Sequence, residues 1–146
     1  MIRMSAPNIT NIKDTDVKNI LIVEDDPRNA ELLKIMLTML GTVNPIICRS
    51  GAEAFFVLET LASVDLVLLD LQLPGEDGYW LIKRFRDYPL LRSTLIVAVT
   101  AQVMPDDVAR TEANGFDGFL GKPLNFDRFP SQIQRLLAGE RVWEPR

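Results

Sequence analysis

The sequence predicts an α/β fold: a doubly wound sheet of five parallel strands in the order 2-1-3-4-5, with helices on both faces. Three observations lead there. Five short runs rich in β-branched residues and Leu recur along the chain, a segment with helical spacing follows each of them, and the runs show no polar alternation. Strands that alternate with helices pair in parallel, and strands covered on both faces read as continuous apolar runs.

The elements follow in order. The first run, 19–24 (NILIVE), precedes Asp26 and Pro27, an N-cap followed by proline at the first helical position, where a missing N–H costs nothing. Leu32, Leu33, Met36, Leu37 and Leu40 then form an apolar stripe that stops before Gly41. The second run, 42–48 (TVNPIIC), holds Pro45, which cannot donate to a ladder and so places this strand at a sheet edge. That agrees with the order 2-1-3-4-5, the common doubly wound solution for five strands. Ser50 to Glu53 fits a capping box for the second helix. After the third run, 64–70 (VDLVLLD), a helix starting near Asp77 is expected to turn Trp80, Leu81 and Phe85 inward. The fourth run, 94–100 (TLIVAVT), precedes a helix over about 105–114, and the fifth, 116–121 (FDGFLG), one over about 126–138. Pro130 has to fall in the first turn of that last helix, which makes Asp127 the expected cap.

Length and composition bound the function. The chain has 146 residues, enough for one domain with a core, and the reading assigns 19–138 to it with tails at 1–18 and 139–146. Val142 and Trp143 in the second tail either pack back on the domain or dock a partner, packing back being the commoner outcome for an isolated aromatic. No apolar run approaches the roughly 18 residues of a membrane helix, and the first residues lack the apolar stretch of a secretory signal. A cytoplasmic protein without a membrane partner is expected. The net charge of −4, with basic residues scattered, argues against a nucleic-acid partner. Cys48 is alone, so no internal disulfide forms, and its apolar setting suggests a buried small side chain. The chain contains no His, which removes the commonest general base and metal ligand and any phosphohistidine of its own. Its chemistry has to rest on carboxylates, hydroxyls and Lys.

Those groups gather at one rim. Strand one ends in Glu24, Asp25 and Asp26, strand three in Asp70, strand four in Thr100 and Ala101, and strand five runs into Lys122. All lie at the carboxyl edge of the sheet, where doubly wound folds bind ligands. Two carboxylates about 4 Å apart repel by about 4 kcal/mol at an effective dielectric of 20, comparable to much of a domain's net stability. A divalent cation removes the conflict, and an all-oxygen donor set suits Mg²⁺, with Mn²⁺ as an alternative.

Four blocks, ILIVEDDPRNAELL, VDLVLLDLQLPGEDG, VAVTA and GFDGFLGKPL, together resemble the signature segments of the receiver domains of bacterial two-component response regulators, the CheY-like superfamily, in order and spacing over roughly residues 18–138. The resemblance implies the flavodoxin-like three-layer sandwich and a phosphoaccepting switch. By it, Asp70 is the phosphoacceptor; Asp25, Asp70 and the backbone carbonyl of Gln72 ligate Mg²⁺; and Glu24 acts through water. Thr100 and the N–H of Ala101 donate to the phosphoryl oxygens, and Lys122 pairs with the phosphoryl charge ahead of a cis Pro123. Asp26 lies one place beyond the acidic pair and is better read as the helix cap. Phe119 occupies the place of a rotating aromatic switch coupled to Thr100, with a plain core role equally open. Gln72 and Gln102 flank the path of the hydrolytic water and tune the lifetime of the phosphorylated state, or are solvated loop amides. The resemblance further implies a histidine kinase or histidine phosphotransfer protein as donor, and a protein target on the face built from helix four, strand five and helix five.

Two rivals compete. A phosphatase of the haloacid dehalogenase type also uses a nucleophilic Asp, Mg²⁺ and Lys, but requires Asp-x-Asp, and the second position here is Gln72. A pure interaction module would keep the fold without taking phosphate, yet every expected site residue is present.

Overall fold

The structure is a computed structural model that describes residues 17–146. Its strands are β1 (Lys18–Val23), β2 (Val43–Cys48), β3 (Leu66–Leu69), β4 (Leu95–Thr100), β5 (Gly118–Gly121) and β6 (Trp143–Glu144). Its helices are α1 (Pro27–Thr38), α2 (Gly51–Leu58), α3 (Gly78–Asp87), α4 (Pro105–Ala113) and α5 (Phe129–Leu137), with a 3₁₀ turn at Pro89–Leu91. The sheet order is β2-β1-β3-β4-β5-β6, all pairs parallel. It contains the expected order and adds a sixth strand from the segment read as a C-terminal tail. Of the expected N-terminal tail, residues 1–16 lie outside the described residues.

The strands sort their side chains by alternation, since successive residues point to opposite faces. Leu21, Val23, Val67, Leu69, Ile96, Ala98 and Phe119 pack with Ala54 and Leu58 of α2 and Leu81, Ile82 and Phe85 of α3. Ile20, Ile22, Leu66, Leu68, Val97, Val99 and Leu120 pack on the other face with Leu33, Met36 and Leu37 of α1 and Phe129, Ile133 and Leu136 of α5. Each of the Val, Leu, Ile, Phe and Met side chains among them contributes about 1.5–3 kcal/mol on leaving water. Pro45 sits opposite Ile20 on the edge strand β2, as its missing N–H demands.

The caps are local and mostly as read. The Arg28 N–H donates to Asp26 Oδ1 at 2.9 Å, the Tyr79 N–H to Asp77 Oδ1 at 2.9 Å, and the Glu53 N–H to Ser50 Oγ at 3.1 Å. The reciprocal arm of the expected capping box shifts by one residue, because Glu53 accepts from the Arg49 N–H at 3.3 Å.

Three expectations fail for packing reasons. Trp80 does not turn inward and is 52% exposed, with the Arg84 guanidinium 4.9 Å from its ring centre. The buried stripe of α3 is Gly78, Leu81, Ile82 and Phe85, and one residue before Leu81 is a rotation of about 100° away. Leu32 is exposed on α1 because the buried stripe there runs through Ala30, Leu33, Met36 and Leu37. Asp127 is not the cap of α5: Asn125 Oδ1 accepts from the N–H groups of Asp127 (2.8 Å) and Arg128 (3.1 Å). The helix therefore opens at Phe129, later than 126, which still leaves Pro130 in the first turn.

Candidate functional site

Parallel strands bring their carboxyl ends to one rim, and the expected site residues lie there or on the loops that follow, except Phe119, which sits within β5. The Asp70 N–H donates to Val23 O at 3.0 Å and the Glu24 N–H to Cys48 O at 2.9 Å, so the β1–β3 and β1–β2 ladders place both acids. The Lys122 N–H donates to Thr100 O at 2.9 Å, which sets the base beside β4. The Lys122–Pro123 peptide is cis, as the sequence reading expected.

Lys122 Nζ lies 2.7 Å from Glu24 Oε1 and 3.2 Å from Asp70 Oδ2. Glu24 and Asp70 are buried, so these contacts sit largely out of water. Carboxylate oxygens of Glu24, Asp25 and Asp70 lie within 4.8 Å of one another. The other Asp70 oxygen, Oδ1, accepts from the Gln72 N–H at 2.9 Å, which fixes the carboxylate plane. Glu24 Oε2 accepts from the Asp26 N–H at 3.1 Å. Asp26 itself points to its helix, consistent with its reading as a cap.

Electrostatics at the rim are a balance. Burial pushes the Glu24 carboxyl above its ordinary range, the hydrogen bonds from Lys122 and Asp26 oppose that, and the Asp70 charge adds to it. For Lys122, burial works against the charged form, but Glu24 and Asp70 outweigh it and hold the ammonium above its ordinary value. The donor set is all oxygen with one ammonium, which fits a hard divalent cation of the Mg²⁺ type.

Thr100 is buried at the end of β4, with Oγ1 accepting from the Gln102 N–H at 3.2 Å and lying 3.5 Å from Gln72 Oε1. Ala101, Gln72 and Gln102 are exposed at the rim. Phe119 is fully buried on β5, two residues before Gly121, which pairs with Thr100. The sequence reading missed one feature, the direct pairing of Glu24 with Lys122. These residues are 98 apart, and no local pattern signals the contact.

The family model described as response regulator receiver domain matches residues 20–134, and the four site-bearing strand ends all fall inside that span. The chain belongs to the response regulator receiver domain family. Receiver domains take phosphoryl groups from histidine kinases. This receiver is 33% identical over 121 residues to the polar-differentiation response regulator DivK of Brucella ovis, covering 83% of this chain and 97% of that protein. It is 31% identical over 144 residues to hybrid signal transduction histidine kinase D of Dictyostelium discoideum; that match covers 90% of this chain and spans only 9% of that much longer protein. Among solved structures, the receiver domain of the sensor histidine kinase PA1611 from Pseudomonas aeruginosa superposes with a TM-score of 0.74 at 29% identity, covering 84% of this chain and 98% of that one. That structure carries a magnesium ion coordinated in its active site cleft. No helix among the described residues is long and apolar enough to cross a membrane.

Proposed function

We propose that Asp70 accepts a phosphoryl group from the phosphohistidine of a partner histidine kinase or histidine phosphotransfer protein, and that the chain catalyses only its own phosphorylation and dephosphorylation. One observation carries this reading: a carboxylate at the ligand rim whose two oxygens are held separately, Oδ2 by the Lys122 ammonium and Oδ1 by the Gln72 N–H, with two further acids within 4.8 Å. A carboxylate is ionised at neutral pH and attacks phosphorus without a general base, which suits a chain lacking His.

Asp25, Asp70 and the backbone carbonyl of Gln72 would hold Mg²⁺ directly, with Glu24 acting through water. Bound there, the cation supplies positive charge against the phosphoryl oxygens. The residues of the chain do the rest. Lys122 moves from shared duty between two carboxylates to the incoming phosphoryl oxygens, while Thr100 Oγ1 and the Ala101 N–H donate to them. Gln72 and Gln102 tune how long the product survives; the support is that both contact Thr100 Oγ1, one by its amide oxygen and one by its N–H. Hydrolysis rates unchanged in both Gln72→Ala and Gln102→Ala would remove that role.

Thr100 and Phe119 form the switch, the hydroxyl drawing toward the phosphoryl group and the ring taking the space vacated. The output surface is the α4, β5 and α5 face, read by a protein target in the cytoplasm. Residues 19–138 form the receiver unit, with 139–146 laid along its edge.

The test is intact mass after treatment with acetyl phosphate. The parent gains one phosphoryl group with Mg²⁺ and none with EDTA, Asp70→Asn gains none, and Asp25→Ala gains far less than the parent. An equal gain in Asp70→Asn overturns the assignment.

A further inference from the structure

Two of the proposed metal ligands, Asp70 and the Gln72 carbonyl, stand at the start of the segment 70–77 that joins β3 to α3. Ligands on a loop hold a metal geometry less well than ligands on a helix or strand, unless the loop itself is pinned. The front of this loop is held by the Gln72 N–H on Asp70 Oδ1 and by the buried Leu71 and Leu73. Its far end is held by Asp77, the cap of α3, and by Gly78, where a Cβ would lie 3.0 Å from Leu71 Cα.

Between those anchors the chain makes a tight turn over residues 73–76. The Glu76 N–H donates to Leu73 O at 3.2 Å, Pro74 takes the second position, and Gly75 has φ +69° at the third. That is the pattern of a type II turn, whose third position needs positive φ and so favours glycine. The turn delivers the half-buried Glu76 to the amino end of α2. There both of its carboxylate oxygens accept from the Gly51 N–H, Oε1 at 2.9 Å and Oε2 at 3.1 Å, across 25 positions of sequence. Gly51 is the first residue of α2, so its N–H has no partner within the helix, and a carboxylate at a helix amino end is favoured by the helix dipole. Gly51 also leaves the room, since a Cβ there would lie 2.7 Å from Glu76 Oε2.

The contact closes a circuit around the rim. Cys48, shortly before Gly51, accepts from the Glu24 N–H at 2.9 Å, and the Asp70 N–H donates to Val23 O at 3.0 Å. Main-chain bonds therefore join the strand ends that carry Glu24 and Asp70. Glu76 joins the loop that follows Asp70 back to the strand-to-helix corner beside Glu24.

We propose that Glu76 is a positioning residue of the metal site: by clamping the 70–77 loop to the first turn of α2, it holds Asp70 and the Gln72 carbonyl at the spacing a divalent cation requires. The inference rests on the reading of Asp25, Asp70 and Gln72 as Mg²⁺ ligands. Mg²⁺ demands near-ideal octahedral geometry, so a ligand loop set free lowers affinity even though every donor is still present. Glu76 acts through its acceptor oxygens, and an amide oxygen in the same place serves as well.

The experiment compares Glu76→Gln with Glu76→Met in the full chain. Both side chains are uncharged and of similar size, and only Gln can accept from the Gly51 N–H. Ser50→Ala is the control, because it removes the cap of the same helix and leaves Glu76 in place. The probe is Mg²⁺ alone, with Kd taken from the rise of the thermal midpoint with Mg²⁺ concentration. Deuterium exchange of the Gly51 amide, measured without metal, reports the contact directly. In Glu76→Met the Gly51 amide should exchange at least tenfold faster, with the Val23 and Leu68 amides unchanged, and the Kd should rise at least threefold. In Glu76→Gln and Ser50→Ala the Kd should rise less than threefold. A rise below threefold in Glu76→Met overturns the proposal. So does an equal rise in Glu76→Gln, which makes the lost charge the cause, or in Ser50→Ala, which makes general loosening of α2 the cause. If the parent midpoint does not respond to Mg²⁺, the metal reading falls and this inference with it; if the parent responds and Glu76→Met matches it, this inference alone falls. Should Glu76→Met fail to fold, Glu76→Ala takes its place.

Discussion

Among the described residues, Lys122 is the one cation paired with the buried Glu24 and Asp70, so Lys122→Met exposes what the rim costs without it. Met keeps most of the stem and removes the ammonium. Glu24 and Asp70 are left with side chains 2% and 6% exposed and no counter-charge. Deleting one partner of a buried ion pair costs about 3–5 kcal/mol. The Lys122 side chain is 16% exposed, so water reaches part of the gap and the lower figure, about 3 kcal/mol, is expected. For a chain of this size each kcal/mol moves the midpoint by roughly 4 °C, which gives a fall of about 12 °C. The same geometry predicts a compensation. With the ammonium gone, Mg²⁺ becomes the only means of balancing Glu24, Asp25 and Asp70, so saturating Mg²⁺ stabilises the variant more than the parent. A cation at a hundred times its Kd contributes about 2.7 kcal/mol. Urea unfolding followed by circular dichroism at neutral pH, with Mg²⁺ or EDTA, measures both quantities. A loss below about 1 kcal/mol, or equal Mg²⁺ increments in the two proteins, would refute the reasoning. Adding Glu24→Gln to the variant should recover part of the loss, because a neutral amide needs no counter-charge.

Other outcomes follow from the packing. Cys48 is fully buried, and burial, with a smaller push from Glu53, raises its thiol to about 12; a thiol reagent at pH 8 should therefore leave it unlabelled in the native chain and label it fully in denaturant. Phe85→Ala should cost about 3–5 kcal/mol in chemical denaturation while the half-exposed Trp80→Ala costs under about 1 kcal/mol, and similar losses would contradict the assigned helix face. The hydrogen bonds from Gln132 and then Arg135 hold the Glu144 carboxyl below its ordinary value of 4.5. A lowered folded value means that its stabilising contribution is complete above about 4.5 and is lost as the pH falls through the folded value. In a Trp80→Phe background, Trp143 emission should therefore shift toward that of exposed Trp on acidification, and earlier in Arg135→Ala.

The sequence by itself determined five of the six strands, most helix starts and the identity of the rim residues, because each rests on local chemistry. An apolar run makes a buried strand wherever it lies, Asp26 caps α1 with the next residues in line, and strands that end in Glu24, Asp70 and Thr100 put those groups on one edge once the strands are parallel. Pro45 even fixed an edge. What only the tertiary structure decided was every relation between distant residues. Glu24 meets Lys122 across 98 positions through the β1–β3–β4–β5 order, and no window of sequence contains both. Trp80 and Leu32 are apolar like the residues that follow them, and only which side of α3 and α1 faces the sheet leaves them outside. The sixth strand was hidden for a related reason. Two residues carry too little periodicity to read as a strand, and what makes Trp143 and Glu144 one is the open, glycine-flanked edge of β5 beside them.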